Sequence, residues 1–250
     1  MTLTFLGNGA MAKAMIHGLL NTYTIEVVGR DQDKLDALNK EFQGKLTTHT
    51  YDKGFNITGK HLILCVKPYA LEQVALHVEG QALSLISVLA GTSLDLLQKF
   101  IKAKHTVRAM PNLAAAFGKS MTTLTGDVAF QKESETILKA IGQTLWLNSE
   151  KELDIATGLA GSGPAFLALI AEALADGAVR EGLKRDDAYI LTRGLFDGFA
   201  PLLNKTHPAL IKDGVMSPGG TTAAGYGALE ENGVRNAMME AIKRAFEKTK

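Results

Sequence analysis

Leu3-Thr-Phe-Leu6, running straight into Gly7-Asn-Gly9-Ala-Met-Ala12, decides the fold of this chain. The first four residues lack the polar alternation of a half-exposed strand and read as a strand buried on both faces. Two glycines follow, and then the amphipathic segment Met11–Leu20, so the order is strand, tight turn, helix. Gly7 allows the turn and Gly9 lets the backbone approach a pyrophosphate. The amides around Ala10 and Met11 then face the phosphates from a helix N-terminus, where free donors and the macrodipole favour negative charge. Glycines in a tight turn with no ligand give the same bare pattern, but its place at the first strand favours a dinucleotide.

Working outward, Ile25–Val28, His61–Val66, Leu85–Leu89 and Thr106–Met110 repeat the buried-strand pattern. Met11–Leu20, Gln32–Lys40, Tyr69–Val78 and Leu94–Ile101 supply helical crossovers between them. Right-handed crossovers assemble such units into a doubly wound, mostly parallel sheet of the Rossmann type. Met121–Leu124 and Leu145–Leu147 add strands, with Lys132–Ile141 as the helix between them. From Glu150 onward the period turns helical and an all-α domain is expected, giving residues 1–149 to the α/β domain and 150–250 to the helical one. Ser162-Gly-Pro164 reads as a helix start, with Ser162 as N-cap and the proline in the first turn. Phe166–Val179 follows. A segment opening at Lys184-Arg-Asp186 ends near Pro201 or shortly after, and Pro208–Lys212, Thr221–Glu231 and Val234–Lys248 complete the domain.

The 250 residues carry 27 basic and 26 acidic side chains, a net charge of +1, which gathers neither nucleic acid nor an anionic membrane surface. A small-molecule partner is the expectation. The single cysteine, Cys65, lies in an apolar run and reads as a buried inert thiol suited to a reducing compartment. No basic, apolar leader opens the sequence, and Glu172 and Asp176 interrupt the most apolar long stretch, Leu159 to Val179. A cytoplasmic protein is expected. The six histidines are scattered without ligand spacing, so no metal site is expected. The helical domain, rich in Ala, Leu, Met and Gly, has few ways to cover its apolar faces alone, which points to dimerisation through these helices.

Cofactor choice is read at the end of the second strand, Val28-Gly29-Arg30, where NAD enzymes place an acidic residue. Arg30 stands 21 positions beyond Gly9 and offers a planar, permanently charged fork to a 2′-phosphate, which favours NADPH over NADH. A solvated arginine beside a functional Asp31 is the other reading. Three further segments fall at the C-terminal edge of the sheet, where ligands bind in open α/β folds: Val66-Lys67-Pro68, Ala90-Gly91-Thr92 and Met110-Pro111-Asn112. Each alone is ordinary turn chemistry, while their recurrence at one edge suggests a nicotinamide pocket. In the helical half, Ser217-Pro-Gly219-Gly220-Thr221-Thr222 gathers two glycines and three hydroxyls ahead of a helix, a compact carboxylate site.

With these segments in order, the sequence resembles the pyrroline-5-carboxylate reductases over nearly its whole length. The most specific stretch is His207-Pro-Ala-Leu-Ile-Lys-Asp-Gly-Val-Met-Ser-Pro-Gly-Gly-Thr-Thr222, followed by Ala228-Leu-Glu-Glu231. Gly7–Ala12, Val66-Lys-Pro68, Arg108-Ala-Met-Pro-Asn112 and Gly161-Ser-Gly-Pro-Ala165 support it. The resemblance implies reduction of L-Δ1-pyrroline-5-carboxylate to L-proline with NAD(P)H, the last step of proline biosynthesis. It also implies a homodimer of interlocked helical domains, sometimes assembled further. Carried over, the cofactor-binding residues are Gly7, Gly9, Ala10, Met11, Ala12, Arg30, Val66, Lys67, Pro68, Ala90, Gly91 and Asn112. Met110 and Pro111 flank the substrate, its carboxylate rests on Ser217, Gly219, Gly220 and Thr221, and the Thr222 hydroxyl reaches the ring nitrogen as the catalytic group. The sequence departs from the family at Ala12, where the third glycine stands elsewhere, at Phe166 in place of a frequent tyrosine, and at Gly225 and Gly227 inside an expected helix.

Two other functions use the same parts. A β-hydroxyacid dehydrogenase needs a base for a hydroxyl, usually a lysine on the helix after the domain junction, and none lies between Ser162 and Val179. A non-catalytic NADP(H)-binding regulator has no need of a second carboxylate site at Ser217–Thr222.

Overall fold

The computed structural model of the chain describes residues 1–51 and 54–249. The N-terminal half alternates as the sequence pattern requires. In order come β1 (Thr2–Leu6), α1 (Ala10–Leu19), β2 (Thr24–Gly29), α2 (Gln32–Glu41), β3 (Thr47–Thr50), β4 (Phe55–Asn56), β5 (His61–Leu64), α3 (Leu71–Ala75), β6 (Val78–Glu79) and β7 (Ala82–Ser87). Next are α4 (Leu94–Phe100), β8 (Ala103–Met110), β9 (Ser120–Gly126), α5 (Gln131–Lys139) and β10 (Gly142–Trp146). Eight strands form one sheet in the order β10-β9-β8-β7-β5-β1-β2-β3, parallel except for the antiparallel pair β8–β9. The expected doubly wound sheet is therefore present, with its order reversing at β1.

Burial explains why the strands were legible. Leu3, Phe5, Ile25, Val27 and Ile63 pack into a core with α1 and α2, while Leu6, Val28, Leu62, Leu64 and Leu85 pack on the opposite face with α3 and α4. Strands covered on both faces must be aliphatic at successive positions. Three strands escaped the sequence reading. β3, Thr-Thr-His-Thr, is the polar edge of the sheet, and β4 and β6 are a two-residue pair of their own. The expected helix Tyr69–Val78 is shorter: a 3₁₀ turn at Pro68–Ala70 leads into α3, and Val78 already belongs to β6.

The helical half comprises α6 (Glu150–Ala156), a π-helical turn (Thr157–Gly161), α7 (Gly163–Arg180), α8 (Arg185–Lys205), α9 (Pro208–Val215), α10 (Thr221–Glu231) and α11 (Val234–Glu247). Ser162 is not the N-cap expected of it. Its backbone is helical, at φ −87° and ψ −22°, and its amide donates to the Thr157 carbonyl at 3.0 Å, so the helix passes through Ser-Gly-Pro without starting there. Pro201 likewise lies inside α8.

By contact density the chain forms two compact units, Met1–Ser162 with Lys243–Lys250, and Gly163–Ile242. The first takes in more of the helical half than a cut at 149/150 would give it. Two tethers explain the difference. Arg108 on β8, 2% exposed, donates to Glu150 at 2.8 Å and Asp154 at 2.7 Å on α6. The Asn112 side-chain amide donates to the Ala160 carbonyl at 2.9 Å. Within the second unit, α7 packs on α8 and α8 on α9.

Candidate active site

The glycine turn between β1 and α1 has the geometry of a phosphate cradle. Gly7 sits at φ +107°, where L side chains are strained, and a Cβ there would stand 2.9 Å from Val66 Cγ1 and 3.0 Å from the Cys65 carbonyl. Only glycine fits. Gly9 is the N-cap of α1 and contributes no side-chain capping bond, and a Cβ there would meet nothing within 4 Å. The first-turn amides of Ala10, Met11 and Ala12 thus stand, without a side-chain cap, at the positive end of a ten-residue helix with no acidic residue in its first turn. Ala12 is fully buried, so the third fingerprint position is set by close packing of helix on sheet.

This turn opens on a cavity of about 310 Å³. Gly7, Gly9, Arg30, Val66 and Lys67, all expected at the cofactor, line it together. Pro68 begins the 3₁₀ turn that follows Lys67. Of the two charged residues after β2, Asp31 is already engaged: its carboxylate caps α2 by accepting from the Lys34 amide at 3.1 Å and pairs with Lys34 Nζ at 3.1 Å. Those contacts, the side-chain bond first, hold its pKa below the usual carboxylate value. Arg30 is exposed and remains the residue that faces the cavity. Sequence reasoning missed Asn8, Tyr51, Gln73, Val74 and His77 in the same wall. Tyr51 follows the polar edge strand, Asn8 stands between the two fingerprint glycines, and Gln73, Val74 and His77 lie on or just after a short helix whose pattern carries no ligand signal.

The remaining edge segments are placed differently. Ala90 and Gly91 lie in the loop after β7, with Gly91 at φ +63° and the Thr249 carbonyl oxygen 3.0 Å from its would-be Cβ. Met110 and Pro111 are buried at the end of β8, and Met110 Cγ is 3.7 Å from where a Cβ on Gly161 would stand. Asn112 has its polar groups engaged internally. It donates to Ala160, its Oδ1 accepts from the Ala114 amide at 3.0 Å, and its amide donates to Ser120 Oγ at 3.1 Å. Burial pushes the Cys65 thiol pKa well up, as an inert core cysteine requires.

The hydroxyl-rich turn belongs to the helical unit. The Gly220 amide donates to the Ser217 carbonyl at 3.0 Å, closing a turn with Gly219 at φ +67°. A Cβ on Gly220 would stand 2.4 Å from Ser217 Oγ, so this glycine lets the serine hydroxyl fold over the turn. Gly220 is the N-cap of α10 without a side-chain cap, which leaves the first amides of an eleven-residue helix free. Ser217, Thr221 and Thr222 are exposed around it. The arrangement offers several donors and no anionic group, as a carboxylate requires.

Residues 150–250 match the family model described as pyrroline-5-carboxylate reductase dimerisation, and residues 2–91 match one described as NADP oxidoreductase, coenzyme F420-dependent. A pyrroline-5-carboxylate reductase of Synechocystis is 37% identical, the match covering 99% of this chain and 96% of the relative. The crystal structure of 1-pyrroline-5-carboxylate reductase from Streptococcus pyogenes superposes with a TM-score of 0.87 at 29% identity, covering 100% of this chain and 98% of that one. The pyrroline carboxylate reductase of Plasmodium falciparum with NADP bound does so with a TM-score of 0.82 at 26% identity, over 100% and 98%.

Proposed function

The chain belongs to the pyrroline-5-carboxylate reductase family, and from that premise we propose how its residues divide the work of the reaction. The protein reduces L-Δ1-pyrroline-5-carboxylate to L-proline, with NADPH as the hydride donor. On our reading the pyrophosphate lies on the amides of Ala10, Met11 and Ala12, beside Gly7 and Gly9, and Arg30 holds the 2′-phosphate. Val66, Lys67 and Pro68 form the floor under the dinucleotide. Ala90, Gly91 and Asn112 border the nicotinamide, with Asn112 acting through its bond to Ala160. NADH is a second, weaker donor, because Arg30 has nothing to pair with on it.

The substrate carboxylate is held by the Ser217 hydroxyl and the amides of Gly219, Gly220 and Thr221. Met110 and Pro111 exclude water from one side of the ring, and the Thr222 hydroxyl reaches the ring nitrogen, accepting a hydrogen bond from its N–H once the imine is protonated. Bound NADPH supplies the hydride to a carbon made electrophilic by the protonated nitrogen, so the protein's part is positioning and charge stabilisation. What supports this reading most is the Gly9 turn, where the missing side chain leaves room at the mouth of a helix, and the cavity there, which Arg30 also lines. The absence of lysine in α7, Gly163–Arg180, removes the base a hydroxyacid dehydrogenase would need. We further propose a cytoplasmic homodimer, open to higher assembly, formed through the helical unit.

An assay of NADPH consumption with pyrroline-5-carboxylate and with hydroxy acids tests the reading. Turnover with the imine alone is expected, and turnover with a hydroxy acid alone, or with neither, overturns it. Thr222→Ala is expected to lower kcat by ~10–100-fold with a smaller change in KM, and Thr222→Ser to restore most of it.

A further inference from the structure

One group in the cavity wall lacks a counterpart. Tyr51 is 4% exposed and lines the cavity that Arg30 lines, yet its hydroxyl has no hydrogen-bond partner among the described residues. Buried hydroxyls almost always find one. The β2–β3 register pairs Gly29 with Thr50, so the next residue of each strand, Arg30 and Tyr51, leaves the sheet edge side by side. Tyr51 belongs to the buried cluster that holds Val28, Leu71 and Val74, with the His77 ring 6.1 Å away.

We propose that Tyr51 is a second, uncharged ligand of the adenosine 2′-phosphate, working beside Arg30 to select NADPH. This rests on NADPH occupying the cavity as proposed above. A cation held this deep would carry a heavy desolvation cost, whereas a phenol can be dehydrated and still donate to an anion. Burial pushes the Tyr51 pKa up to about 12, so the group stays protonated and donating through the working pH range, although the Arg30 charge pulls the other way. Arg30, exposed, supplies charge and attraction. Tyr51, buried, supplies an uncharged donor that NADH cannot use.

The test is calorimetric titration of the intact protein and its Tyr51→Phe variant with 2′,5′-ADP, 5′-AMP, NADPH and NADH, beside thermal melts without nucleotide. Phenylalanine keeps the ring packing and removes only the hydroxyl. Affinity for 2′,5′-ADP and NADPH should fall by ~10-fold, while 5′-AMP and NADH change by less than ~2-fold. The ligand-free variant should melt no lower than the parent, since it loses a buried group with no partner; a merely structural hydroxyl would lower the melt and leave the nucleotide ratio alone. Equal losses for 2′,5′-ADP and 5′-AMP would assign Tyr51 to the adenine and overturn the proposal, as would no loss at all. If the parent protein binds neither 2′,5′-ADP nor NADPH, the cavity is not the cofactor site and the broader reading fails with it.

Discussion

The two units of this chain treat their large apolar side chains in opposite ways. In the sheet unit Leu3, Phe5, Ile25, Val27 and Ile63 are fully buried, and each sheet face has its own cluster. In the helical unit the buried positions include Ala175, Ala188 and Thr192, while Ile190, Leu191 and Leu195 on α8 are 59, 63 and 57% exposed and Leu169 on α7 is 67% exposed. A unit with small residues inside and large aliphatic ones outside has turned its hydrophobic driving force toward something else. The helical run Glu150–Arg180 is long and apolar enough to cross a bilayer by length and composition. Residues 150–250 match a family model described as pyrroline-5-carboxylate reductase dimerisation, and on the dimer proposed above that surface meets a second copy of the chain. On that proposal, stability is intramolecular in one half and linked to protein concentration in the other.

The hardest blow to that contrast is charge on the helical face. Leu191→Glu combined with Leu195→Glu, one helical turn apart, should weaken self-association by ~1,000-fold or more, because each carboxylate must be dehydrated on docking. Sedimentation velocity should then show monomers. Leu76→Glu, on an equally bare position of the sheet unit at 73% exposure, should leave the assembly unchanged. A double variant that remains dimeric would remove α8 from the interface. A gentler pair sharpens the same point. Leu64→Ala in the sheet core should cost ~2–5 kcal/mol at any protein concentration. The loss from Leu191→Ala should appear as a denaturation midpoint that moves with concentration.

The same division governs what could be read from the sequence. β1, β2, β5 and β7 are largely aliphatic because both their faces are covered, and a run such as Leu62-Ile-Leu64 has few other uses. β3 has one exposed edge and a Thr-Thr-His-Thr sequence, so its strand state comes from pairing with β2 rather than from local pattern. Tyr51 was lost with it. Ser162 misled for the converse reason. Ser-Gly-Pro is a sound local start signal, but Arg108 holds α6 through Glu150 and Asp154 and Asn112 holds Ala160, and the helix continues across the signal. The glycine turn and the Ser217–Thr222 turn were legible because each needs residue types that ordinary turns do not demand together. Gly225 and Gly227 face open space in α10, and nothing in the structure explains them.

Within the sheet unit the two fingerprint glycines repeat the contrast at smaller scale. Gly7→Ala forces a side chain into a positive φ and onto Val66 and the Cys65 backbone, and should cost ~1–3 kcal/mol of stability before any ligand is added. Gly9→Ala meets no atom of the protein, so the ligand-free melt should hold while NADPH affinity drops by ~10-fold or more, the methyl standing where the pyrophosphate must pass. Equal stability losses in both variants would show that Gly9 serves the fold and not the phosphate.

The smallest effect concerns acid, and again separates the halves. On the helical unit Glu230 accepts from Arg235, and from the Tyr226 hydroxyl at 2.5 Å; these bonds, that of Arg235 first, pull its pKa down to about 2. In the sheet unit burial pushes the Glu26 pKa up, but bonds from Lys60 at 2.8 Å and Thr4 at 2.6 Å, with the charges of Lys60 and His49, bring it below the ordinary value. Both folded pKa values are lowered, so each carboxylate stabilises the fold when ionised. The contribution is complete above the ordinary value of 4.5 and is lost as pH falls, for Glu230 toward about 2. They differ in shielding. Glu230 lies at the surface with its bonds open to counterions, whereas Glu26 is 8% exposed beneath Lys60. Acid titrations of Glu230→Gln and Glu26→Gln should therefore diverge with salt. The shift from Glu230→Gln should be small and vanish near ~1 M salt, where the screening length falls to ~3 Å. That from Glu26→Gln should persist better, because the Glu26 carboxylate itself is buried. If the two shifts respond alike to salt, the exposed trio on the helical unit is as closed to solvent as the buried cluster beneath the sheet, and the contrast between the halves does not extend to their charges.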